Sequence, residues 1–200
     1  MTEIRAADVR ELRDKTGAGM MDCKKALAET HGDLEKAVDY LRTKGLAAAA
    51  KRAGRDTKEG LVYSYIHPGG RVGVLLEVNC ESDFVARTED FLELCKDLSM
   101  QVAATSPRCV SREQFDAAVL EHEKSIFEAQ ARESGKPAAV AEKLVAGRIE
   151  KLYKESVLLE QEFIKDPKMS VEERVKATIA KLGENITVRR FARFQLGEGS

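Results

Sequence analysis

Tryptophan is absent from this chain of 200 residues, and the aromatic share is only 6%, all Phe and Tyr. Few large flat surfaces are therefore available for stacking on bases or sugars. The four cysteines, Cys23, Cys80, Cys95 and Cys109, lack C-x-x-C or other tight spacing. That pattern argues against a zinc site, and in a reducing compartment against disulfides, so they read as small packing residues. Charge of one sign is also missing: 33 Lys and Arg stand against 34 Asp and Glu, for a net charge of -1. Without a strong field, general nucleic-acid binding is disfavoured. No apolar run approaches the roughly 20 residues of a membrane span, and the start, Met1 to Asp8, is polar where a secretory signal needs an apolar stretch. A cytoplasmic protein is expected, with no membrane partner. What the chain does have is 43% hydrophobic residues, ordinary for one or two small domains with real cores.

The first 45 residues predict three short helices. Val9 and Leu12 share a face of the first, which ends at Thr16-Gly17-Ala18-Gly19, where glycine permits a turn that other residues resist. The second, about Met20 to Ala28, points Cys23, Ala26 and Leu27 inward. Gly32 stops it, and Asp33 is a good N-cap for a third helix carrying Leu34, Ala37, Val38 and Leu41 at i, i+3, i+4, i+7. Beyond Gly45 the run of alanines and cations reads as a helical or flexible linker. Lys44, Lys51, Arg52, Arg55 and Lys58 form either a solvated face or a patch for an acidic partner.

Two alternating strands follow, Leu61 to His67 and Arg71 to Cys80, joined by Pro68-Gly69-Gly70, which is turn chemistry for a hairpin. Val72, Val74, Leu76 and Val78 point one way. A helix from about Thr88 to Ala104 carries Phe91, Leu92, Cys95, Leu98 and Val102, spaced to cover a sheet. Ile186 to Leu196, rich in β-branched and aromatic residues, predicts a third strand. Between lie two amphipathic runs, about 111–158. Phe115, Val119, His122, Ile126 and Ala129 form a heptad-like stripe, and after Ser134-Gly135-Lys136-Pro137 come Ala141, Val145, Ile149 and Leu152. They predict an antiparallel helical hairpin with His122 as a packing residue in its seam. A last helix, Ser170 to Leu182, ends at Gly183. The fold class is α+β: a three-helix unit, then a three-stranded antiparallel sheet with covering helices and an inserted helical hairpin.

Catalytic templates come up empty. G-x-x-x-x-G-K-[ST], G-x-G-x-x-G and H-E-x-x-H are all absent, so neither a bound nucleotide nor a metal or other cofactor of its own is expected. His67 and Cys80 could be base and nucleophile of a thiol enzyme, or cross-strand neighbours packed for stability. The chemistry-bearing local feature is Asn79 to Arg87, where the apolar strand breaks into polar residues around an isolated Phe84-Val85. Either Ser82 or Asp83 caps a short turn with Phe84 tucked beneath it, or a carboxylate and a ring project together from a strand-to-helix loop. Met20-Met21, directly after the glycine turn, is a second feature. Adjacent helical residues point about 100° apart, so either one Met is buried and one partly covered, or both thioethers form a protein-binding surface.

These residues closely resemble the elongation factor Ts family, guanine nucleotide exchange factors for elongation factor Tu. The resemblance rests on Thr16 to Leu27, on Glu77 to Ala86 and on Arg189 to Gly199, with Lys143 to Arg148 and Leu159 to Asp166 as further segments, and covers nearly the whole chain. Ser82 stands where the family usually has Thr. The resemblance implies a ubiquitin-associated-like domain with linker in residues 1–54, docking on elongation factor Tu through Leu12, Met20 and Met21. It implies a core and dimerisation domain in 55–200, in which Ser82, Asp83, Phe84 and Val85 intrude near the partner's magnesium and phosphate site. Such a protein promotes GDP release and is not an enzyme. An adaptor that binds without exchange shares the bundle but gives Ser82 to Val85 no role. The length resembles the short family forms, and Val62, Ile66, Leu75 and Phe191 suggest an apolar second sheet face. A homodimer is expected, noncovalent because the last strand has Ala192 and no cysteine.

Overall fold

In the computed structural model, residues 4–133 and 137–198 are described. The chain runs α1 (Ala6–Thr16), α2 (Met20–Glu29), α3 (Leu34–Ala50), β1 (Glu59–Ile66), β2 (Val72–Cys80), α4 (Asp83–Ala86) and α5 (Glu89–Thr105). It continues with α6 (Ala117–Glu133), α7 (Ala138–Ser156), β3 (Glu162–Phe163), β4 (Asp166–Ser170), α8 (Val171–Leu182) and β5 (Ile186–Gln195). Two compact units form. One takes the described residues up to Leu61 with Asn79–Leu94 and Glu173–Thr187, and the other takes Val62–Val78, Cys95–Glu172 and the chain from Val188.

In the first unit the expected three-helix bundle is present. Gly17 ends α1 at φ 65°, a left-handed conformation that glycine adopts without penalty, and its N–H reaches the Arg13 carbonyl at 2.7 Å. Asp33 caps α3 by accepting the Lys36 N–H at 3.0 Å. Val9, Leu12, Cys23, Ala26, Leu27, Ala37 and Leu41 make the core. Of the two linker readings the helical one holds as far as Ala50, because α3 runs on through the alanines, the residues of highest helix propensity, while residues 51–58 leave the helix as turns and extended chain. Gly45 sits inside that helix because a Cβ there would stand 3.3 Å from the Ala180 Cβ. Most of the linker cations have partners. Lys44 pairs with Asp22, Arg52 donates to the Gly183 and Ala48 carbonyls, Arg55 pairs with Glu81 and Lys58 with Asp56. That pattern favours the solvated face over an anion-seeking patch.

The sheet is three-stranded and antiparallel in the order β1-β2-β5, so the hairpin and the distant strand pair as expected. Gly69 and Gly70 both take positive φ, 92° and 67°, which the tight turn requires. Val74, Leu76 and Val78 are buried along one side of β2. On α5 the buried stripe is Phe91, Leu94, Cys95, Leu98 and Val102, and the expected Leu92 is exposed, one residue and about 100° away from Phe91.

The helical hairpin, α6 against α7, forms with its seam in a different register from the one expected. Asp116 caps α6 by accepting the Ala118 N–H at 2.8 Å, so Phe115 lies before the helix and cannot anchor a helical stripe. The covered positions include Leu120, Lys124, Phe127 and Ala131, at 4, 3, 4 spacing, together with the expected Val119, whereas the expected His122, Ile126 and Ala129 are exposed and are not seam residues. On α7 the expected Ala141, Val145, Ile149 and Leu152 are all at least half-buried. The expected turn at Ser134, Gly135 and Lys136 lies outside the described residues, as does Gly199 of the closing motif. Unexpected is the two-stranded sheet of β3 and β4, held by buried amides. Gln101 Nε2 donates to Gln161 Oε1 and to the Glu162 carbonyl, both at 3.1 Å, and its Oε1 accepts the Ile164 N–H at 2.9 Å.

Candidate partner-binding site

Beyond Cys80 the backbone leaves the sheet and makes a single helical turn. Ser82, extended at φ -129° and ψ 154°, is its N-cap, and the Oγ accepts the Val85 N–H at 3.5 Å. The same hydroxyl donates to Glu184 Oε1 at 2.6 Å while the Ser82 N–H donates to Glu184 Oε2 at 3.0 Å. A reciprocal tie runs the other way, since Glu81 Oε1 accepts the Asn185 N–H at 2.6 Å. The buried Asn185 side chain donates to the Arg55 carbonyl at 2.9 Å. On the far side Thr88 donates to the Val85 carbonyl at 2.8 Å and its Oγ accepts the Phe91 N–H, starting α5.

This bracing decides where the side chains go. Ala86 is the buried residue of α4, and two residues along a helix is a turn of about 200°, so Phe84 faces the opposite way. It is 80% exposed. The capping alternative thus holds for Ser82 and fails for Phe84, which is not tucked under the turn. Asp83 forms a solvent-facing pair with Arg87 at 2.7 Å, the kind of contact that contributes little and is readily exchanged for another. Val85 is half-buried beside it.

The methionines lie on the bundle in the same unit. Cys23, Ala26 and Leu27 use up the inward face of α2, which leaves Met20 55% and Met21 77% exposed. Neither is the core residue that one alternative required. Leu12 differs from them, being fully buried in the bundle core, so its side chain supports the surface without forming it. Nearby, the Lys181 stem lies against Gly17, where a Cβ would stand 3.3 Å from Cε, and Lys181 Nζ pairs with Asp90 at 2.6 Å.

A thiol centre is excluded by position. The His67 N–H bonds the Val72 carbonyl at the first residue of β2, whereas Cys80 is the last residue of that strand, so the two are not cross-strand neighbours. All four cysteines are free and buried. Burial, and then the negative charge of Glu184, push the Cys80 thiol up to about 11. Because the protonated form is the one favoured by folding, this thiol costs no stability below the unfolded value near 9, and stability falls as pH rises from about 9 towards 11. Native protein at pH 8 is expected to leave Cys80 unalkylated by iodoacetamide, with labelling appearing only on denaturation. Rapid labelling of the native chain would contradict its placement. Among the described residues no group of three or more His, Cys, Asp or Glu could hold a metal ion, and no helix is long and apolar enough to cross a membrane.

The second sheet face is apolar and open. Val62, Ile66 and Leu75 are exposed as expected, but Phe191 is half-buried and the ring on the open face is Phe194, 64% exposed. Strand parity explains the correction: Arg190 pairs with Glu77 at 2.7 Å, and Glu77 shares its face with Leu75, so 190, 192 and 194 lie on the open side and 191 does not. Leu75, Ile66, Phe194 and Leu196 line one shallow cleft. A Cβ at Gly73 would stand 3.0 Å from Ile66 Cδ1, so that glycine lets Ile66 lie across β2. Sequence reasoning missed Phe194, Leu196, Glu184 and Asn185. Parity from Leu75 and Glu77 finds the first two only once the pairing of β2 with β5 is known, and nothing local pairs Glu184 with a serine 102 residues away.

Comparison with known proteins agrees along the chain. Residues 47–198 match the family described as Elongation factor TS. A protein named Elongation factor Ts from Thermoanaerobacter sp. (strain X514) is 61% identical over 196 residues, covering 98% of this chain and 96% of the relative. Proteins of the same name from Moorella thermoacetica and Geobacter sulfurreducens are 61% and 60% identical over 98% of this chain, covering 97% and 91% of their own lengths.

Proposed function

The chain belongs to the elongation factor Ts family and is a translation elongation factor, and we propose on that premise that it promotes GDP release from elongation factor Tu through protein contacts, with no chemistry of its own. The observation that carries this reading is Phe84: a large apolar ring, 80% exposed, on a turn pinned by hydrogen bonds at both ends. An apolar ring held out into water on a braced support suits insertion into another protein.

In this reading Ser82, Asp83, Phe84 and Val85 enter the partner beside its magnesium and phosphate site. Phe84 acts as the wedge, and Asp83, already loosely paired, is its polar companion. Met20 and Met21 dock on the nucleotide-binding domain, with Leu12 holding α1 beneath them. Bound Mg²⁺ neutralises much of the diphosphate charge, so displacing the loops that support it weakens ion and nucleotide together. Linkage makes the effect reciprocal. A factor that loosens the nucleotide by some ratio binds the empty partner more tightly by the same ratio, and a shift of about 10⁴ corresponds to roughly 5.5 kcal/mol.

The reading further assigns residues 1–54 to a ubiquitin-associated-like domain with its linker and 55–200 to a core and dimerisation domain, and places the protein in the cytoplasm. The open apolar face of β1-β2-β5 is assigned to a second copy of the chain, giving a noncovalent homodimer. Support comes from the exposed Val62, Ile66, Leu75 and Phe194 on one face of the sheet, an apolar patch of the kind that marks an interaction surface and that a second copy would cover.

The test is release of labelled GDP from elongation factor Tu with and without this protein. Acceleration by orders of magnitude is expected, and unchanged release would defeat the proposal.

A further inference from the structure

We propose that Glu184 is a positioning residue for exchange, whose carboxylate clamps Ser82 so that α4 presents Phe84 in one fixed orientation. The inference rests on the exchange reading above and names the residue on which its wedge depends.

A helix of four residues cannot hold its own direction, because a single turn fixes several dihedrals for very few internal bonds. The direction of α4 must come from outside it. At the N-terminal end, both hydrogens that Ser82 can offer go to one carboxylate, the N–H at 3.0 Å to Oε2 and the Oγ–H at 2.6 Å to Oε1. Hydrogen bonds to a charged acceptor are the short, strong and directional ones, and this pair is partly shielded from water. The hydroxyl also accepts the Val85 N–H, so it passes the orientation set by Glu184 directly into the turn that carries Phe84. Glu81 and Asn185 complete a box: each of the two segments sends a carboxylate to a backbone N–H of the other. Cys80 Sγ–H, donating to the Ser82 carbonyl at 3.1 Å, seats the residue from the strand side.

Loosening this clamp has a specific signature. The ring remains available, so the encounter made through Met20 and Met21 survives. The cost of ordering Phe84 is then met at the step in which the partner's pocket opens, which lowers the maximal rate more than the apparent affinity.

The experiment measures labelled GDP release at saturating factor, and the factor concentration at half effect, for Glu184→Gln, Ser82→Ala, their double variant and Ser82→Thr. Glu184→Gln and Ser82→Ala are each expected to lower the maximal rate roughly tenfold while the half-effect concentration moves less than about twofold. The double variant is expected to lose less than the two singles combined, because both changes weaken the same bond between Ser82 Oγ and the carboxylate, while Ser82→Ala also removes the Val85 cap. Ser82→Thr keeps the hydroxyl and is expected to keep the amide protection at Val85 that Ser82→Ala loses. Amide hydrogen exchange on the full chain gives a readout independent of activity: protection at Ser82 and Val85 falls in Glu184→Gln while β2 and α5 keep theirs.

A wild-type maximal rate in Glu184→Gln, losses that add in the double variant, or a rate loss matched by equal losses of affinity and melting temperature would overturn the proposal. If the wild-type protein itself leaves GDP release unchanged, the exchange reading fails. The hydrogen-exchange arm then still reports whether Glu184 orders the turn.

Discussion

Replacing Phe84 with alanine is expected to lower the maximal rate of GDP release from elongation factor Tu by roughly 10- to 100-fold while leaving the melting temperature of the chain unchanged. The fold does not need the ring: it is 80% exposed, and surface substitutions away from packed or capped positions stay within about 0.5 kcal/mol. The turn does not need it either, since Ser82, Ala86 and Thr88 make the contacts that hold α4. What alanine removes is burial of a phenyl group in the partner, worth about 1.5 to 3 kcal/mol, which converts to the stated range when it is realised only as the nucleotide site opens. Complex formation, measured by titration on nucleotide-free partner and on the GDP form, separates the roles. A loss confined to binding, equal in both states, would make Phe84 an ordinary contact, and an unchanged rate would remove the wedge altogether.

Placing charge on the open sheet face is expected to have the second large effect. Wild-type protein should sediment at twice the 22.1 kDa chain mass at micromolar concentration, and Phe194→Asp as a single chain with native circular dichroism. In an isologous contact each substitution is felt twice. Losing two buried rings costs roughly 3 to 6 kcal/mol, or about 10² to 10⁴ in dissociation constant, before the cost of desolvating two carboxylates is counted. Phe191→Asp is the informative contrast. Phe191 stands on the opposite side of β5, so the same substitution there should reduce stability instead of dissociating copies. A strict monomer of wild-type protein would end the dimer reading, and it would leave Val62, Ile66, Leu75 and Phe194 without a partner to cover them.

Both expectations draw on information of two kinds. The turn at Gly17, the Asp33 cap, the run Leu34, Ala37, Val38, Leu41, the Pro68-Gly69-Gly70 hairpin and the alternation of Val74, Leu76 and Val78 were legible directly. Each depends on residues within a few positions of one another, where backbone sterics and period alone decide the outcome. The segments Thr16 to Leu27, Glu77 to Ala86 and Arg189 to Gly199 carried the family for the same reason, being contiguous. Where reading failed, either a helix cap was overlooked or a nonlocal contact had intervened. The seam of α6 starts after the Asp116 cap, so counting from Phe115 put His122 on the wrong face. The two-residue strand Glu162–Phe163 is too short for alternation to register and exists because buried Gln101 and Gln161 hold it.

The sequence by itself determined that this chain is an α+β protein with a helical bundle, a hairpin-based sheet and an isolated Phe84 after a broken strand, because periodicity, caps and turn residues act over one or two turns of chain. Only the tertiary structure decided which way the important side chains point. Phe84 faces water because Glu184 and Ala86 fix the turn beneath it, Phe194 and not Phe191 lies on the open sheet because pairing sets the parity of β5, and Cys80 is a buried thiol far along its strand from His67. Those outcomes depend on contacts between residues as much as 113 positions apart, and such contacts leave no mark in local spacing.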